Sequence, residues 1–289
     1  MPQLLLGVNV PVSAAPGADP VAAAVAAERL GYDFVSASDH PSGTEPSYET
    51  WTMLTWIAAS TSRIQIASRV LSLPFRAPAL VAKMAESLDR LSGGRLILGL
   101  GAGYADPELR GFGLPVPSAR EKVDGLADAL AVIRGLWSEP EFSYAGPVHH
   151  TEAARLEPKP GHPIPLWLGT FGDRALGVTG RLADGWIPTL GYAPLDKLPA
   201  MRARVLSAAS DAGRDPGEIT CALNVEVAVG LPEGSDPDLI SGSPAQVAGR
   251  LLSLAELGFT AFNFMPSGPD AARQPQLLGE EVIPLLRTF

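Results

Sequence analysis

The chain has little cysteine, little lysine and no long run of basic or apolar residues. Its 289 residues include one cysteine, Cys221, so no disulfide can form within the chain, as is typical of proteins in a reducing compartment. Cys221 lies in an apolar alternating run and is interpreted as a small core residue. We therefore expect a cytoplasmic protein without structural disulfides.

The missing basic and apolar runs restrict the partners. The formal net charge is -9, from 22 basic and 31 acidic residues, which disfavours broad binding to nucleic acid or to an anionic membrane. No apolar run reaches the about 18 residues that a membrane span needs. The apolar stretch 4–12 lacks the basic segment of a signal peptide and is typical of a strand. We expect a small-molecule partner, with no nucleic-acid and no membrane partner.

The composition that is present, 46% hydrophobic and 18% charged residues, predicts a large buried core. Strand-like runs alternate with helical patterns along most of the chain. The sequence predicts strands at residues 4–10, 33–38, 64–68, 95–100, 165–168, 185–189, 219–229 and 260–265. It predicts helices at residues 21–30, 51–59, 78–91, 119–137, 174–182, 194–212 and 245–257, and a closing helix after the last strand.

This β-α order predicts the fold class α/β, and within it a (β/α)8 TIM barrel that forms one domain over residues 1–289. The rhythm breaks at residues 142–161, where Pro147, Pro158 and Pro160 accompany short extended pieces. We interpret this segment as an excursion between the fourth helix and the fifth strand. The alternative fold is a doubly wound open sheet.

Functional residues of such a barrel gather at the carboxyl ends of its strands. The second strand ends in Ser38-Asp39-His40-Pro41, where an imidazole could exchange protons near neutral pH and Asp39 could tune or orient it. The alternative is a loop histidine that caps a turn. The other three histidines show no metal-ligand spacing, so we predict no metal site.

Two glycine-bearing segments follow other strands. Gly99, Gly101 and Gly103 alternate at the end of the fourth strand, where missing side chains would let a large flat ligand approach the backbone. The run does not satisfy G-x-G-x-x-G, so a Rossmann nicotinamide site is not predicted. The turn 169–174 precedes a helix, and its backbone N–H groups, with Thr170 and Arg174 as further donors, would suit a phosphate. The alternative is an ordinary strand-to-helix turn.

Two rival barrel chemistries lack their residues. A Schiff-base aldolase needs a lysine on an inner strand, but all four lysines fall in predicted helices or a loop. A metal-dependent hydrolase needs acids and histidines at several strand ends, and beyond Asp39, His40 and Asp106 those ends are mostly glycine and apolar. Such a site favours a bound organic cofactor.

Three segments together carry a resemblance to a known family. They are SDHP at 38–41, ETWTMLTWIAASTSRIQIASRVLSLPFRAPALVAKMAESLDRLSGGRLILGLGAGY at 49–104, and PIPLWLGTFGDRAL with GRLADGWIP at 163–188. In this order and spacing the chain resembles the luciferase-like monooxygenase superfamily from Leu4 to Pro188. Within the superfamily it is most similar to deazaflavin-dependent oxidoreductases that use coenzyme F420, and FMN-dependent members share the scaffold.

The resemblance implies the site residues. It places a non-proline cis peptide at Arg69–Val70, with Leu71 and Ser72 beside the cofactor ring. Asp39 and His40 match positions near the reactive face of the ring, with His40 as proton donor or acceptor during hydride transfer. The resemblance also places the cofactor tail and its phosphate against a further set of residues: Ala102, Gly103, Gly169, Thr170, Phe171, Gly172 and Asp173.

The chain departs from the family pattern at two of these positions. Arg69 replaces a residue that is usually small, and Tyr104 stands where an acid is sometimes found. The substrate loops 42–48, 104–118 and 190–194 are apolar and aromatic, which favours a hydrophobic or mixed organic substrate over a sugar phosphate.

The resulting function hypothesis is an F420-dependent oxidoreductase that transfers a hydride between the deazaflavin and a small organic substrate. One alternative is an FMN-dependent monooxygenase with a separate flavin reductase as partner. Another is a cofactor-binding protein without turnover. Apolar helix faces also predict a homodimer.

Overall fold

The computed structural model describes residues 3–234, 236 and 238–288. In this part of the chain the strands are β1 (Leu5–Asn9), β2 (Phe34–Ala37), β3 (Gln65–Ser68), β4 (Leu71–Ser72), β5 (Leu96–Gly101), β6 (Phe142–Ala145), β7 (His150–Ala154), β8 (Leu166–Leu168), β9 (Gly185–Trp186), β10 (Thr220–Val229), β11 (Leu239–Gly242) and β12 (Ala261–Pro266). The helices are α1 (Pro20–Arg29), α2 (Thr50–Ser60), α3 (Pro78–Ser92), α4 (Asp106–Gly111), α5 (Ala119–Ser138), α6 (Asp173–Leu182), α7 (Leu198–Asp211), α8 (Pro244–Glu256), α9 (Gln274–Leu277) and α10 (Ile283–Arg287).

Eight parallel strands close into a barrel in the order β1, β2, β3, β5, β8, β9, β10 and β12. The ring closes because β12 pairs with β1, while β10 pairs with both β9 and β12. This confirms the predicted TIM barrel and rules out the open sheet. The short strands β4 and β11 add parallel pairings to β5 and β10 outside the eight-strand ring.

The predicted elements match the barrel with a few differences. The strand predicted at 185–189 pairs as a regular strand only over Gly185–Trp186, because Pro188 has no N–H for a ladder hydrogen bond. Helix α4 and the short strands β4 and β11 were not predicted. The excursion is an antiparallel pair, β6 and β7, held to helix α5 by Asp128, which accepts hydrogen bonds from the Tyr144 hydroxyl and from two backbone N–H groups.

The inside of the barrel has an apolar layer and a polar layer. The apolar layer is a separate cluster of buried residues: Phe34, Ala67, Ile97, Trp167, Ile187, Ala222 and Ala261. Towards the carboxyl ends of the strands the buried side chains become polar. Ser36 Oγ donates to Asn263 Oδ1 at 2.8 Å, and Asn263 Nδ2 donates to Asn224 Oδ1 at 2.8 Å. The polar side chains inside the ring thus lie towards the carboxyl ends of the strands, an end that we call the barrel mouth.

The helices pack around the outside of the ring in one large apolar cluster. Several begin with proline in the first turn, and α5 and α8 carry capping boxes at Ser118 and Ser243 that satisfy the first backbone N–H groups. Among the described residues, none of the helices is long and apolar enough to cross a membrane.

Candidate active site

His40 lies at the barrel mouth between two side chains from the segment after β5. Its Nδ1 is 2.7 Å from Oε1 of Glu108, and its Nε2 is 3.4 Å from the hydroxyl of Tyr104. The Tyr104 ring stands edge-on to the imidazole, with 5.7 Å between ring centres. The His40 side chain keeps 37% of its surface exposed, so a ligand can reach it.

Glu108 was missed in the sequence. Residues 104–118 were interpreted as a substrate loop, but Asp106–Gly111 form helix α4, with Pro107 and Glu108 in its first turn. Proline followed by an acid in the first turn is a helix-start pattern, and that signal was present in the sequence. The contact between Glu108 and His40 could not be predicted from the sequence, because the two residues are 68 positions apart.

Because Asp39 precedes His40 in the sequence, we expected that it could orient the imidazole. In the structure its carboxylate has other partners. Its carboxylate accepts hydrogen bonds from the backbone N–H of Ser72 at 2.8 Å and from Arg76 Nη1 and Nη2 at 2.7 and 3.1 Å. The Asp39 side chain has no exposed surface. Asp39 therefore ties the segment after β2 to β4 and to the segment after β4, and it holds the wall of the site. Glu108 is the residue that contacts the His40 ring at Nδ1.

The Arg69–Val70 peptide is cis, as the resemblance predicted. The glycines of β5 make room for this segment. A Cβ at Gly99 would lie 1.9 Å from the Ser68 carbonyl oxygen, and a Cβ at Gly101 would lie 2.7 Å from Val70 Cγ2. The flat ligand expected against these glycines is therefore replaced there by the chain itself, so a ligand would meet the Ser68–Val70 segment instead of the bare strand.

The other residues of this wall divide into two kinds. Leu71 is fully buried in the cluster between barrel and helices, so its side chain does not reach the mouth. Gly103 has φ +78°, and a Cβ there would lie 2.7 Å from Pro74 Cγ, so the Ala102–Gly103 turn depends on the missing side chain. Ser72 contributes its backbone N–H to Asp39.

The predicted phosphate turn forms only in part as expected. Thr170 is buried, and its hydroxyl pairs with the Thr179 hydroxyl at 2.7 Å instead of facing a ligand. Arg174 is bound to Asp124. Gly172 is the residue that caps α6, and having no side chain it leaves the first backbone N–H groups of the helix as the donors of this turn.

Exposed aromatic rings line one side of the mouth. Tyr104 and Tyr192 are 71% and 69% exposed, and their ring centres are 6.5 Å apart. Phe171, from the turn before α6, meets Tyr192 edge-on at 6.2 Å. We call these three residues the aromatic rim. Rings that stay in water are typical of a binding surface for an organic ligand.

Arg69 follows β3 at the same barrel mouth, and its side chain extends to β1. Its Nε donates to Asn9 Oδ1 on β1 at 3.1 Å. Burial lowers the pKa of the Arg69 guanidinium below its ordinary value, and the nearby Tyr104 and Tyr192 act in the opposite direction. Within the described ranges, no group of three or more His, Cys, Asp or Glu side chains is placed to hold a metal ion.

Known proteins with the same fold differ in their chemistry. A solved F420-dependent secondary alcohol dehydrogenase, in complex with an F420-acetone adduct, superposes with a TM-score of 0.87, at 20% identity and over 99% of both chains. A monooxygenase from Streptomyces bottropensis superposes with a TM-score of 0.82, at 18% identity, over 97% of this chain and 99% of the other. At these identities the two likenesses establish the fold.

The sequence comparisons point to one family. The F420-dependent glucose-6-phosphate dehydrogenase of Kineococcus radiotolerans is 28% identical, over 91% of this chain and 91% of that protein. The sequence profile of the luciferase-like monooxygenases matches residues 6–237. These residues include His40, the Arg69–Val70 peptide and the turn before α6. The chain belongs to the luciferase-like monooxygenase family.

Proposed function

We propose that the protein is an oxidoreductase that binds coenzyme F420 and transfers a hydride between it and a small organic substrate. The observation that carries this proposal is the placement of His40 at the mouth, with one ring nitrogen on Glu108 and the other beside Tyr104. Support for the cofactor comes from relatives named as F420-dependent dehydrogenases, which match this chain over 91% of its length.

The residues at the mouth fit a deazaflavin. The Arg69–Ser72 segment gives a continuous wall beside β5, and the Ala102–Gly103 turn has no side chain at position 103. The start of α6 has donors without a side-chain cap, which suits the phosphate of the cofactor tail, although the Asp173 carboxylate in the same turn opposes it. When bound, F420 supplies a ring carbon that gives or accepts a hydride and reacts poorly with oxygen.

His40 handles the proton that accompanies the hydride. A carboxylate only accepts hydrogen bonds, so the contact with Glu108 keeps the proton of a neutral His40 on Nδ1 and leaves a lone pair on Nε2. Nε2 then accepts the hydroxyl proton of an alcohol as it is oxidised, or, as imidazolium, returns it to a carbonyl as it is reduced. Glu108 is a positioning residue in this scheme.

The mouth also controls water. The apolar layer closes the ring beneath the site, and the buried amides of Asn224 and Asn263 are paired with each other rather than with a ligand. A substrate that covers the aromatic rim would remove water from around His40. The residues of this chain thus supply orientation, exclusion of water and a proton acceptor.

The cofactor proposal is tested by titrating the purified protein separately with F420 and with FMN while following tryptophan fluorescence. We expect tight binding of F420 and weak binding of FMN. A preference for FMN would instead indicate a monooxygenase that needs a flavin reductase as partner. Binding of neither would overturn the proposed cofactor site.

The catalytic role is tested with His40→Ala, assayed with F420 and a panel of secondary alcohols that includes glucose 6-phosphate as a polar comparison. We expect F420 binding to be kept and turnover to fall by about 100-fold or more. Unchanged turnover would contradict the role of His40. A wild-type protein that binds F420 but turns over none of the panel would favour a cofactor-binding protein without turnover.

We also propose a single-domain homodimer in the cytoplasm. The single cysteine supports the compartment. Trp56 on α2 is 69% exposed and Leu80 on the neighbouring α3 is 55% exposed, so these two helices offer apolar side chains to a second copy of the chain. Sedimentation of the wild type and of Trp56→Glu tests this association, since a monomer in both samples would contradict it.

A further inference from the structure

Arg69 is a cation at the mouth without an acidic partner. Among the described residues no carboxylate lies within 4.0 Å of its guanidinium, and its hydrogen bond is the one from Nε to Asn9 Oδ1 at 3.1 Å. Arg76, on the same segment, is by contrast held by both Asp39 and Glu49. The two terminal nitrogens of Arg69 are therefore the donors that this part of the site leaves for a ligand.

An unpaired arginine in this position is costly. Arginine stays charged in proteins, so it cannot relieve burial by losing its proton. The Arg69 side chain is half-buried, and this burial lowers the pKa of its guanidinium. A bound anion would offset this cost, because a guanidinium pairs with a carboxylate or phosphate through two parallel hydrogen bonds.

The position of Arg69 connects it with the reactive group. The positive charge of Arg69 acts to lower the pKa of Tyr104. The Tyr104 hydroxyl in turn lies 3.4 Å from His40 Nε2. Tyr192, the second ring of the aromatic rim, also interacts electrostatically with the Arg69 guanidinium. The start of α6, which suits the cofactor phosphate, follows β8, and β8 is separated from β3 by β5 in the ring. Val70 lies against Gly169 of the turn before α6, but the Arg69 guanidinium is bonded to Asn9 on β1, so its charge is directed away from that turn.

We propose that Arg69 binds the anionic group of the substrate, so that the substrate is an organic anion, a carboxylate or a phosphate monoester, with an apolar or aromatic body. This inference rests on the proposed function and specifies its substrate class. The anionic group pairs with the Arg69 guanidinium, and the body of the molecule lies on the aromatic rim. The carbinol or carbonyl carbon is then placed beside His40.

The test measures ligand binding directly, by calorimetry on the full chain with and without F420. The probes are benzoate and phenyl phosphate as anions, and benzyl alcohol as a neutral molecule with the same ring. The variants are Arg69→Met, Arg69→Lys, and Arg250→Met as a control that removes an exposed arginine on α8.

We expect Arg69→Met to weaken anion binding by about tenfold or more, and benzyl alcohol binding by less than about twofold. Arg69→Lys keeps the positive charge but cannot form two parallel hydrogen bonds, so it should give an intermediate loss of affinity for the anions. Arg250→Met should leave all affinities unchanged.

Several outcomes would overturn the inference. They are a wild-type protein that binds neither anion, an Arg69→Met variant with wild-type anion affinity, and an Arg69→Met variant that loses F420 binding while its anion binding persists. The last result would assign Arg69 to the cofactor. Failure of the wild type to bind F420 would overturn the proposed function separately, because anion binding is also measured without the cofactor. Should Arg69→Met not fold, the ratio of anion to neutral affinity in Arg69→Lys gives the same decision.

Discussion

Nδ1 of His40 and Oε1 of Glu108 are 2.7 Å apart, although 68 residues separate them in the chain. The second carboxylate oxygen of Glu108 is buried, and the described residues offer it no hydrogen-bond partner. The described hydrogen bond of this half-buried carboxylate goes to a histidine ring, so its task is to fix the orientation and tautomer of that ring.

Glu108→Gln tests this positioning. The amide has a similar shape but can present a donor to Nδ1, so the imidazole is no longer held in one tautomer. We expect kcat to fall about 10- to 100-fold with little change in KM, by analogy with the loss of hydrogen-bond partners of metal-binding histidines. Steady-state kinetics with F420 measure both constants, and Glu256→Gln, an exposed acid on α8, is the matched control. A change in KM alone would show that Glu108 shapes the pocket rather than positions His40.

The buried pair of Asp39 and Arg76 predicts a large effect on stability. Arg76→Met leaves the Asp39 carboxylate buried with only the Ser72 N–H, so we expect a loss of about 3–5 kcal/mol in the free energy of unfolding. Urea denaturation measures it. Arg155→Met, which breaks an exposed ion pair with Glu141, should cost less than about 1 kcal/mol. Equal losses in the two variants would contradict the assignment.

The fit between Gly101 and Val70 predicts a coupled effect. Gly101→Ala places a methyl group 2.7 Å from Val70 Cγ2, and we expect it to destabilise the fold by about 1–3 kcal/mol. Val70→Ala opens the same space, so the double variant should lose less than the sum of the two single variants.

Thermal unfolding of this cycle gives the coupling energy, and additive losses would show that Val70 does not occupy the space above Gly101. Gly249→Ala is the control for the glycine replacement itself. In the part of the chain that the structure describes, a Cβ at Gly249 on α8 meets no neighbouring atom within 4 Å, so alanine there should stabilise the helix by about 0.5–1 kcal/mol.

Glu28 predicts a pH dependence of stability. Burial acts to raise the pKa of its carboxyl, but hydrogen bonds from the backbone N–H groups of Ile64, Arg63 and Ser62 outweigh it, and the pKa falls from 4.5 to about 2. Because the folded pKa is the lower one, this stabilisation is present above 4.5 and is lost as the pH falls from 4.5 towards about 2.

Glu28→Gln should therefore destabilise the protein at pH 7 by about 1 kcal/mol, an amount reduced by solvent screening. Its deficit relative to the wild type should shrink in the acidic range. Urea denaturation of both proteins at neutral and acidic pH checks this. A deficit that is the same at both pH values would show that the charge of Glu28 does not contribute.

Sequence reasoning reached the architecture because its signals are local. Strands such as Leu96–Gly101 and helices such as Pro78–Ser92 can be predicted from apolar residues that repeat with periods near two and near 3.6 residues. The order of these elements along the chain then favours a barrel. The motif at 38–41 and the Arg69–Val70 position were found in the same way, because a motif keeps its residues next to one another.

Contacts between distant segments were beyond that reasoning. The neighbour Asp39 was the natural candidate to orient His40, yet the barrel turns Asp39 towards Arg76 and brings Glu108 to the imidazole. Thr170 had the right chemistry for a phosphate, but the first turns of α6 bury it against Thr179.

By itself the sequence determined the fold, the family and the end of the barrel where chemistry takes place, since these follow from periodicity, chain order and adjacent residues. Only the tertiary structure decided which side chain holds His40, what fills the space above the β5 glycines, and that Arg69 faces the mouth without a carboxylate. The physical reason is that hydrogen bonds and ion pairs act over a few ångströms. Closing the ring brings together residues that lie tens of positions apart, and no local pattern records those distances.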